Sequence, residues 1–407
     1  MRASYPTYKA TSITWPESIP ESWELVKISS VFRERRETVS DKDFAPLSVT
    51  MQGIVPQLET AAKTDNGDNR KKVCAGDFVI NSRSDRKGSA GISPSDGSVS
   101  VISIVLKPSK KLHAKYVDYL LTNYYFQEEF YRYGKGIVAD LWSTKYSSMK
   151  GMFIPFPSLE EQNAIANYLD TKTEQINRFI AKKEKLIKSL REKIDVIVQS
   201  IEGEQLNDSK FWPTIPKTWR VEKAKRIFIE RNIKNKSSEA LLASTQDRGV
   251  LPKDMCSENF VSPAGDLSGL KLVCENDFVI SLRSFQGGIE YSPYRGIISP
   301  AYTIFNLREQ YESPWMIQYY KYLFKTSQFI SLLNTAITGI RDGKNVNWID
   351  FAELPIPIPT EDDVKIMMED FIRFEELVKV FEVEKQKLNE FKNSLIAEVV
   401  TGKIKVA

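Results

Sequence analysis

The chain is written twice. It first reads Trp15-Pro16, then Ile19-Pro20-Glu21-Ser22-Trp23, then Phe32-Arg33-Glu34-Arg35. Later it reads Trp212-Pro213, then Ile215-Pro216-Lys217-Thr218-Trp219, then Phe228-Ile229-Glu230-Arg231. Further matches follow in order. Gln52-Gly53-Ile54-Val55-Pro56 answers Arg248-Gly249-Val250-Leu251-Pro252, and Val73-Cys74 with Asp77-Phe78-Val79-Ile80 answers Val273-Cys274 with Asp277-Phe278-Val279-Ile280. Arg83-Ser84 answers Arg283-Ser284, and Ile154-Pro155-Phe156-Pro157 answers Ile356-Pro357-Ile358-Pro359. The offset is 196 residues at Trp23/Trp219 and 202 at Ile154/Ile356, a drift that a few loop insertions explain. A repeat of about 200 residues is far too long for a solenoid. It is a whole domain with a helix appended. A chain built this way has a pseudo-two-fold axis and can meet a two-fold object twice.

Each copy has two parts. The first part is broken into short β-like runs such as Val99–Leu106 and Ala301–Asn306, separated by Gly, Pro and Asp clusters. It also carries a helical stretch, around Tyr116–Tyr133 and Trp315–Leu333. The mixture predicts an α+β class. The second part is a long helix. Ser158-Leu159-Glu160-Glu161 spells a capping box, with Ser158 capping a backbone N–H and Glu161 reaching back. Thr360-Glu361-Asp362-Asp363 is a weaker version, with Asp362-Asp363 standing where Glu161-Gln162 does.

The helices carry a seam. Apolar residues fall at Ile165, Leu169, Ile176, Ile180, Ile187, Leu190, Ile194, Ile197 and Ile201 in the first. In the second they fall at Met367, Phe371, Phe374, Val378, Phe381, Leu388, Phe391, Leu395 and Val399. Steps of three, four and seven indicate a coiled coil. Gly203 and Gly402 are the expected stops. A run of about 43 residues spans roughly 65 Å and cannot bury its stripe within one small domain. Its natural partner is the other copy. The linker Glu204–Lys210 is too short for the return that a parallel pair would need, since extended chain gains about 3.5 Å per residue. The expected architecture is two tandem α/β-mixed domains separated by two long helices forming an antiparallel coiled coil, with pseudo-two-fold symmetry. The boundaries are 1–157, 158–203 (first helix), 204–359, and 360–407 (second helix and tail).

Composition sets bounds on function. The net charge of +4 permits nucleic-acid binding without demanding it. No apolar run approaches a membrane span, and Met1–Thr14 lacks a secretory core, so the expected location is the cytoplasm. Cys74, Cys256 and Cys274 show no metal spacing. Cys74 and Cys274, repeat equivalents, are expected to be small buried residues without a disulfide. The single histidine, His113, leaves little scope for a triad or a metal site. Gly339-Ile340-Arg341-Asp342-Gly343-Lys344-Asn345 has the wrong spacing for a phosphate-binding loop and lacks its hydroxyl. No Pro-Pro motif of an amino-methyltransferase occurs, nor a Gly-x-Ser-x-Gly elbow. The chain is expected to bind and position rather than react, with no cofactor and no metal.

The early Ile-Pro-x-x-Trp, the central Asp77-Phe78-Val79-Ile80 with Arg83-Ser84, and the late Ile-Pro-x-Pro before an acidic-capped helix together resemble the specificity subunit of a type I restriction–modification system. The resemblance covers essentially the whole chain. Ser158-Leu159-Glu160-Glu161-Gln162 with Ile165 and Leu169 is its most specific piece. It implies two target-recognition domains, each reading one half of a split, asymmetric sequence in double-stranded DNA. It implies that the helices set the gap between the halves and dock two modification (methyltransferase) subunits. Restriction (endonuclease/translocase) subunits would join the full complex. All catalytic residues would lie on these partners, with no membrane involved.

Base readers are sought among cations and amides in the loops, since Arg and Lys suit guanine and Asn and Gln suit adenine. In the first domain the candidates are Arg83, Arg86, Lys87, Lys135 and Lys145; in the second they are Arg248, Arg283, Gln286, Arg341, Lys344 and Asn345. Arg83 and Arg283 occur in both copies and have a competing structural role. Trp23 and Trp219 fit core anchors for the same reason. Two other functions share this layout. One is the DNA-recognition chain of another restriction class, which the identity of the partner chain would distinguish. The other is a coiled-coil adaptor for proteins, which retardation of duplex DNA would distinguish.

Overall fold

The computed structural model describes residues 4–58, 67–136, 142–198, 210–213, 215–246, 248–256, 266–282, 284–335 and 346–406. The chain divides into two compact units: Met1–Lys182 with Val383–Ala407, and Lys183–Glu382. Both mix strands and helices, and each owns part of both long helices.

In unit 1 a four-stranded antiparallel sheet runs in the order Ala90–Ile92, Phe78–Asn81, Ser103–Pro108, Phe32–Glu34. Phe78–Asn81 is buried throughout, because both faces of the strand are covered. Successive side chains point to opposite faces. Phe78, Ile80, Ile104 and Leu106 therefore enter the main core with Tyr116 and Leu120. Val79 and Val105 enter a smaller core with Leu47, Ile54, Val73 and Val99. Unit 2 repeats the division. Its sheet runs Phe228–Arg231, Thr303–Leu307, Phe278–Ile280, Glu290–Tyr291. Phe278, Ile280, Phe305 and Leu307 face the main core, and Val279 and Ile304 face the smaller one.

The repeated Cys-x-x-Asp segment is a turn that precedes the central strand. Asp77 Oδ2 accepts from Cys74 N at 2.8 Å and from Arg35 Nε at 2.7 Å. Asp277 Oδ2 accepts from Cys274 N at 2.7 Å and pairs with Arg231 Nε at 2.9 Å. The turn needs a left-handed residue, supplied by Gly76 (φ 87°) and Asn276 (φ 70°). It uses the backbone N–H of each cysteine, not the side chain. Cys74 and Cys274 are accordingly free thiols and half-buried, not buried as expected. Gly97 and Gly296 mark a second shared constraint. A Cβ would lie 2.6 Å from Ala45 O in the first and 2.4 Å from Ala240 O in the second.

Three expected elements are each split. Val99–Leu106 is two strands, Gly97–Ser100 and Ser103–Pro108, with exposed Val101 and Ile102 turning between them. Tyr116–Tyr133 is two helices, Ala114–Thr122 and Tyr124–Arg132, because Asn123 caps the second through Phe126 N. Trp315–Leu333 divides the same way into Pro314–Leu323 and Ser327–Thr335, with Thr326 Oγ1 accepting from Phe329 N at 3.2 Å.

The long helices are Leu159–Ile197 and Glu361–Val400. Ser158 and Thr360 cap them as expected, accepting from Glu161 N and Asp363 N, each at 3.2 Å. Glu161 does not reach back: its Oε1 accepts from Tyr5 O–H. The matched positions also shift by one. Asp363 stands at the place of Glu161 and Val364 at that of Gln162, since Ser158 and Thr360 play the same part. Gln162 is buried and ties the junction. It donates to Lys111 O and Pro157 O at 3.2 and 3.0 Å and accepts from His113 N at 2.9 Å. The second helix gives way to Gly402 in the left-handed conformation (φ 75°). Gly203 lies outside the described residues.

The helices pair antiparallel. In unit 1 Ile165, Leu169 and Ile176 share a core with Leu395 and Val399, and Lys392 Nζ reaches Asn177 Oδ1 at 3.1 Å. In unit 2 Lys183 lies over the Phe381 ring at 4.3 Å, and Arg191 meets Glu382 at 3.4 Å. Ile180, Leu190, Phe374, Val378 and Phe381 are half-buried, as a two-helix seam allows. Phe391, expected on the seam, is exposed. Ile201 and the side chain of Ile194 are outside the described residues. Trp23 and Trp219 are core anchors, 0% and 2% exposed.

Candidate nucleic-acid interface

In unit 1 one short segment gathers the candidates. Ser143 pairs as an isolated bridge with both Arg83 and Lys135. Ser84 N donates to Trp142 O and Thr144 N to Ser82 O, each at 2.9 Å. Lys145 follows and opens the short helix Tyr146–Met149. Arg86 and Lys87 lie on and just after the 3-10 turn Ser84–Arg86. Arg86, Lys87, Lys135 and Lys145 are exposed. Two of the five cations are engaged by carboxylates: Arg83 Nε lies 3.1 Å from Asp85, and Lys87 pairs with Glu128. Both pairs are partly exposed, so water and salt weaken them.

Two clefts adjoin this segment. One, of about 740 Å³, has Lys87, Trp142 and Arg132 in its wall, with Trp15 stacked on Tyr125. Glu128, Glu129 and Glu398 also line it, and their charge opposes a phosphate backbone. The other, of about 380 Å³, is lined by Arg36, Lys71, Lys145, Tyr146, Ser143 and Ser147, with Glu34 as its carboxylate. Arg36 pairs with Glu34 at 2.6 Å. Lys71 donates to Ser103 O at 2.7 Å, and burial lowers its pKa. The second groove is the more basic of the two and holds hydroxyl donors beside its cations. Sequence reasoning missed Arg36 and Lys71, which lie on or between strands far from Lys145 in the chain.

In unit 2 Arg248 and Gln286 are exposed. Arg248 sits in the hairpin between Leu242–Thr245 and Gly249–Pro252, its N–H held by Thr245 Oγ1 at 3.1 Å. Gln246 of the same hairpin approaches Gln286 at 3.5 Å, which brings the two candidates to one place. Arg283, Arg341, Lys344 and Asn345 lie outside the described residues. At the turn before the central strand, Arg231 and Asp277 are structural. Burial pushes the Asp277 carboxyl up to about 6 against the opposing pull of Cys274 N–H and Arg231. The Arg35 guanidinium of unit 1 is held above its ordinary value by its bond to Asp77.

Among the described residues no cluster of three or more His, Cys, Asp or Glu is placed to hold a metal ion. Among them no helix is long and apolar enough to cross a membrane. What the surfaces offer is hydrogen-bond donors and positive charge on loops held by a rigid sheet.

Comparison with known proteins agrees. A family model described as the type I restriction modification DNA specificity domain matches residues 20–189. Over these residues the chain is similar to the type I restriction–modification DNA specificity domain. A putative type I restriction enzyme MjaX specificity subunit from Methanocaldococcus jannaschii is 21% identical over 435 residues, covering 95% of each chain. A chain solved in work on complex assembly and conformational transition of the type I R-M system shares the fold. Its TM-score is 0.62 at 13% identity, over 96% of this chain and 100% of that one. The specificity-subunit resemblance thus extends over both copies of the repeat.

Proposed function

We propose that this chain is the non-catalytic DNA-recognition subunit of a type I restriction–modification complex, working in the cytoplasm. Each tandem domain reads one half of a bipartite, asymmetric target in double-stranded DNA. The helices set the gap between the halves. Two modification subunits dock on the chain, and restriction subunits join them. The domain boundaries given above define the exchangeable parts.

The observation that carries this reading is a shared frame with unlike loops. Both units keep the Arg–Asp–Cys turn, the doubly buried central strand and the close-packed glycine. Their exposed loops differ: Met51-Gln52 in the first hairpin stands against Gln246 and Arg248 in the second. A frame kept twice with surfaces that differ fits two readers of different sequences. Partner docking is supported by apolar side chains left exposed on the long helices, among them Phe179 and Phe391 in unit 1 and Ile366, Ile372 and Val380 in unit 2.

The test is a map of methylated sites in the host genome. Replacing residues 214–355 by the matching domain of a relative should change one half-site and leave the other. A swap that alters both halves or neither rejects two independent readers. In gel retardation, Arg86→Ala with Lys145→Ala should weaken binding. Removing a side chain that touches phosphate lowers the salt slope by about one unit, whereas removing one that reads a base relaxes one position.

A further inference from the structure

Unit 2 carries a polar device in which one lysine ties two loop segments. The hairpin turn at Gln246 and the short helix Ser284–Gly287 come side by side. Gln246 Nε2 lies 3.5 Å from Gln286 Oε1. The stem of Gln246 packs on Gly287, where an added Cβ would sit 3.4 Å from Gln246 Cγ. Lys325 holds both segments. Its Nζ donates to Gln246 O at 3.3 Å and Gly287 O at 2.9 Å, and it pairs with Glu290. Glu290 is 2% exposed. Gly288 completes the arrangement: at φ 79°, its Cβ position falls 2.0 Å from Phe324 O, so only glycine lets the loop close.

Unit 1 holds the matching strand by a helix carboxylate instead, Asp118 Oδ1 accepting from Ile92 N at 2.9 Å. Met51 reaches over Gly88, 3.6 Å from its Cβ position. Gly91 stands opposite Val79 where Glu290 stands opposite Val279. A buried carboxylate is costly unless paired and bonded. Here that cost is met at one point, where Lys325 bonds the carbonyls of Gln246 and Gly287, while unit 1 has Gly91 at the matching strand position. The direction of the amide contact matters. With Gln246 donating to Gln286, the contact leaves one acceptor, Gln246 Oε1, and one donor, Gln286 Nε2, outside it on exposed side chains. Adenine in the major groove offers the complement, an N6 donor beside an N7 acceptor.

We propose that Gln246 and Gln286 together read an adenine in one half-site, and that Lys325 is the positioning residue that holds them. The inference rests on the DNA-reading function proposed above. The test is selection of duplexes from a random pool by the tagged full chain purified with its native partners. Wild type should select a two-part site. Gln286→Glu, which replaces the donor with an acceptor, should lower the preference for adenine at one position by about 10- to 100-fold and favour cytosine there. The other half-site should not change. Lys325→Met should relax the same position, and Lys325→Arg should restore part of it. If wild type selects a site that Gln286→Glu and Gln246→Glu both leave unchanged, the inference fails and the DNA-reading function stands. If wild type selects no sequence, the function fails and the inference with it. If Lys325→Met lowers the melting temperature and weakens every position alike, Lys325 is structural only.

Discussion

The two domain–helix junctions answer one problem in two ways. Each places a carboxylate three residues into a helix, where the N-terminal partial charge favours it. In unit 2 Asp363 Oδ2 accepts directly from Trp219 Nε1 at 2.7 Å. In unit 1 the equivalent Glu161 is taken by Tyr5, which packs edge-on against Trp23 with ring centroids 5.7 Å apart. Gln162 then ties the junction to the loop before the helix Ala114–Thr122, where unit 2 has the buried, apolar Val364. The main cores differ as well. Leu106 and Met149 occupy positions that Phe305 and Phe351 fill in unit 2, where the two rings lie 4.6 Å apart at the centre of an aromatic cluster. The duplication preserves backbone geometry and the sign of charge at key points. It leaves the identity of the partner group free.

The sharpest challenge to this comparison is in the cores. Phe305→Ala should destabilise unit 2 by about 3–5 kcal/mol, and Leu106→Ala should cost unit 1 about 2–4 kcal/mol, as read by urea unfolding. The excess in unit 2 reflects ring–ring geometry, worth about 0.5–1.5 kcal/mol per pair. Equal losses would reduce the aromatic cluster to buried area alone.

A pH titration tests the turn of unit 2. The Asp277 carboxyl is pushed up to about 6, and an unfolded aspartate titrates near 3.9. Between these values the folded state binds more protons, so unit 2 should lose stability as pH rises from about 4 to about 6. The loss is on the order of 3 kcal/mol. Asp277→Asn should flatten that slope in thermal melts. A slope that survives the substitution places the titrating group elsewhere.

At the junctions, Trp219→Phe unpairs Asp363 and should cost about 1.5–3 kcal/mol. Tyr5→Phe should cost less, because it removes only a hydroxyl, whereas Trp219→Phe also shrinks a ring that is 2% exposed. Reversed magnitudes in denaturant melts would show that the amino-terminal arm, not the tryptophan, secures the first helix. The smallest effect is expected at Phe391. Its substitution by Ala should change stability by no more than about 0.5 kcal/mol, against about 2–5 kcal/mol for Leu395→Ala. A large effect at Phe391 would return it to the seam.

The duplication, the α+β mixture and the helix pair were legible because they rest on period and repetition, which a single sequence displays. The splits at Asn123 and Thr326 were not, because a polar cap inside an apolar run leaves the periodicity almost intact. Glu161 misled for a related reason: local spacing favoured a bond three residues back, and a tyrosine 156 residues away took it. At the candidate interface, loop cations were visible by type. What sequence could not show was convergence: Ser143 joining Arg83 to Lys135, or Lys325 reaching back to Gln246 across 79 residues. Gln246 stood two positions before the matched segment Arg248–Pro252, and only its meeting with Gln286 gives it weight.

The sharing of the long helices also has a consequence for the order of events during synthesis. Unit 2 is one continuous stretch, Lys183–Glu382, whereas unit 1 needs its closing segment, Val383–Ala407. That segment supplies Leu395, Val399, Val400 and Ile404 to the first core and brings Gly402 O to the Tyr8 hydroxyl at 3.0 Å. Domains generally fold as the ribosome releases them, amino-terminal first. Here the first domain to be made is the last to be completed. A ribosome that stalls near residue 382 releases a chain whose second unit has all its residues and whose first has an open core, so the earliest-made half is the one exposed to proteases.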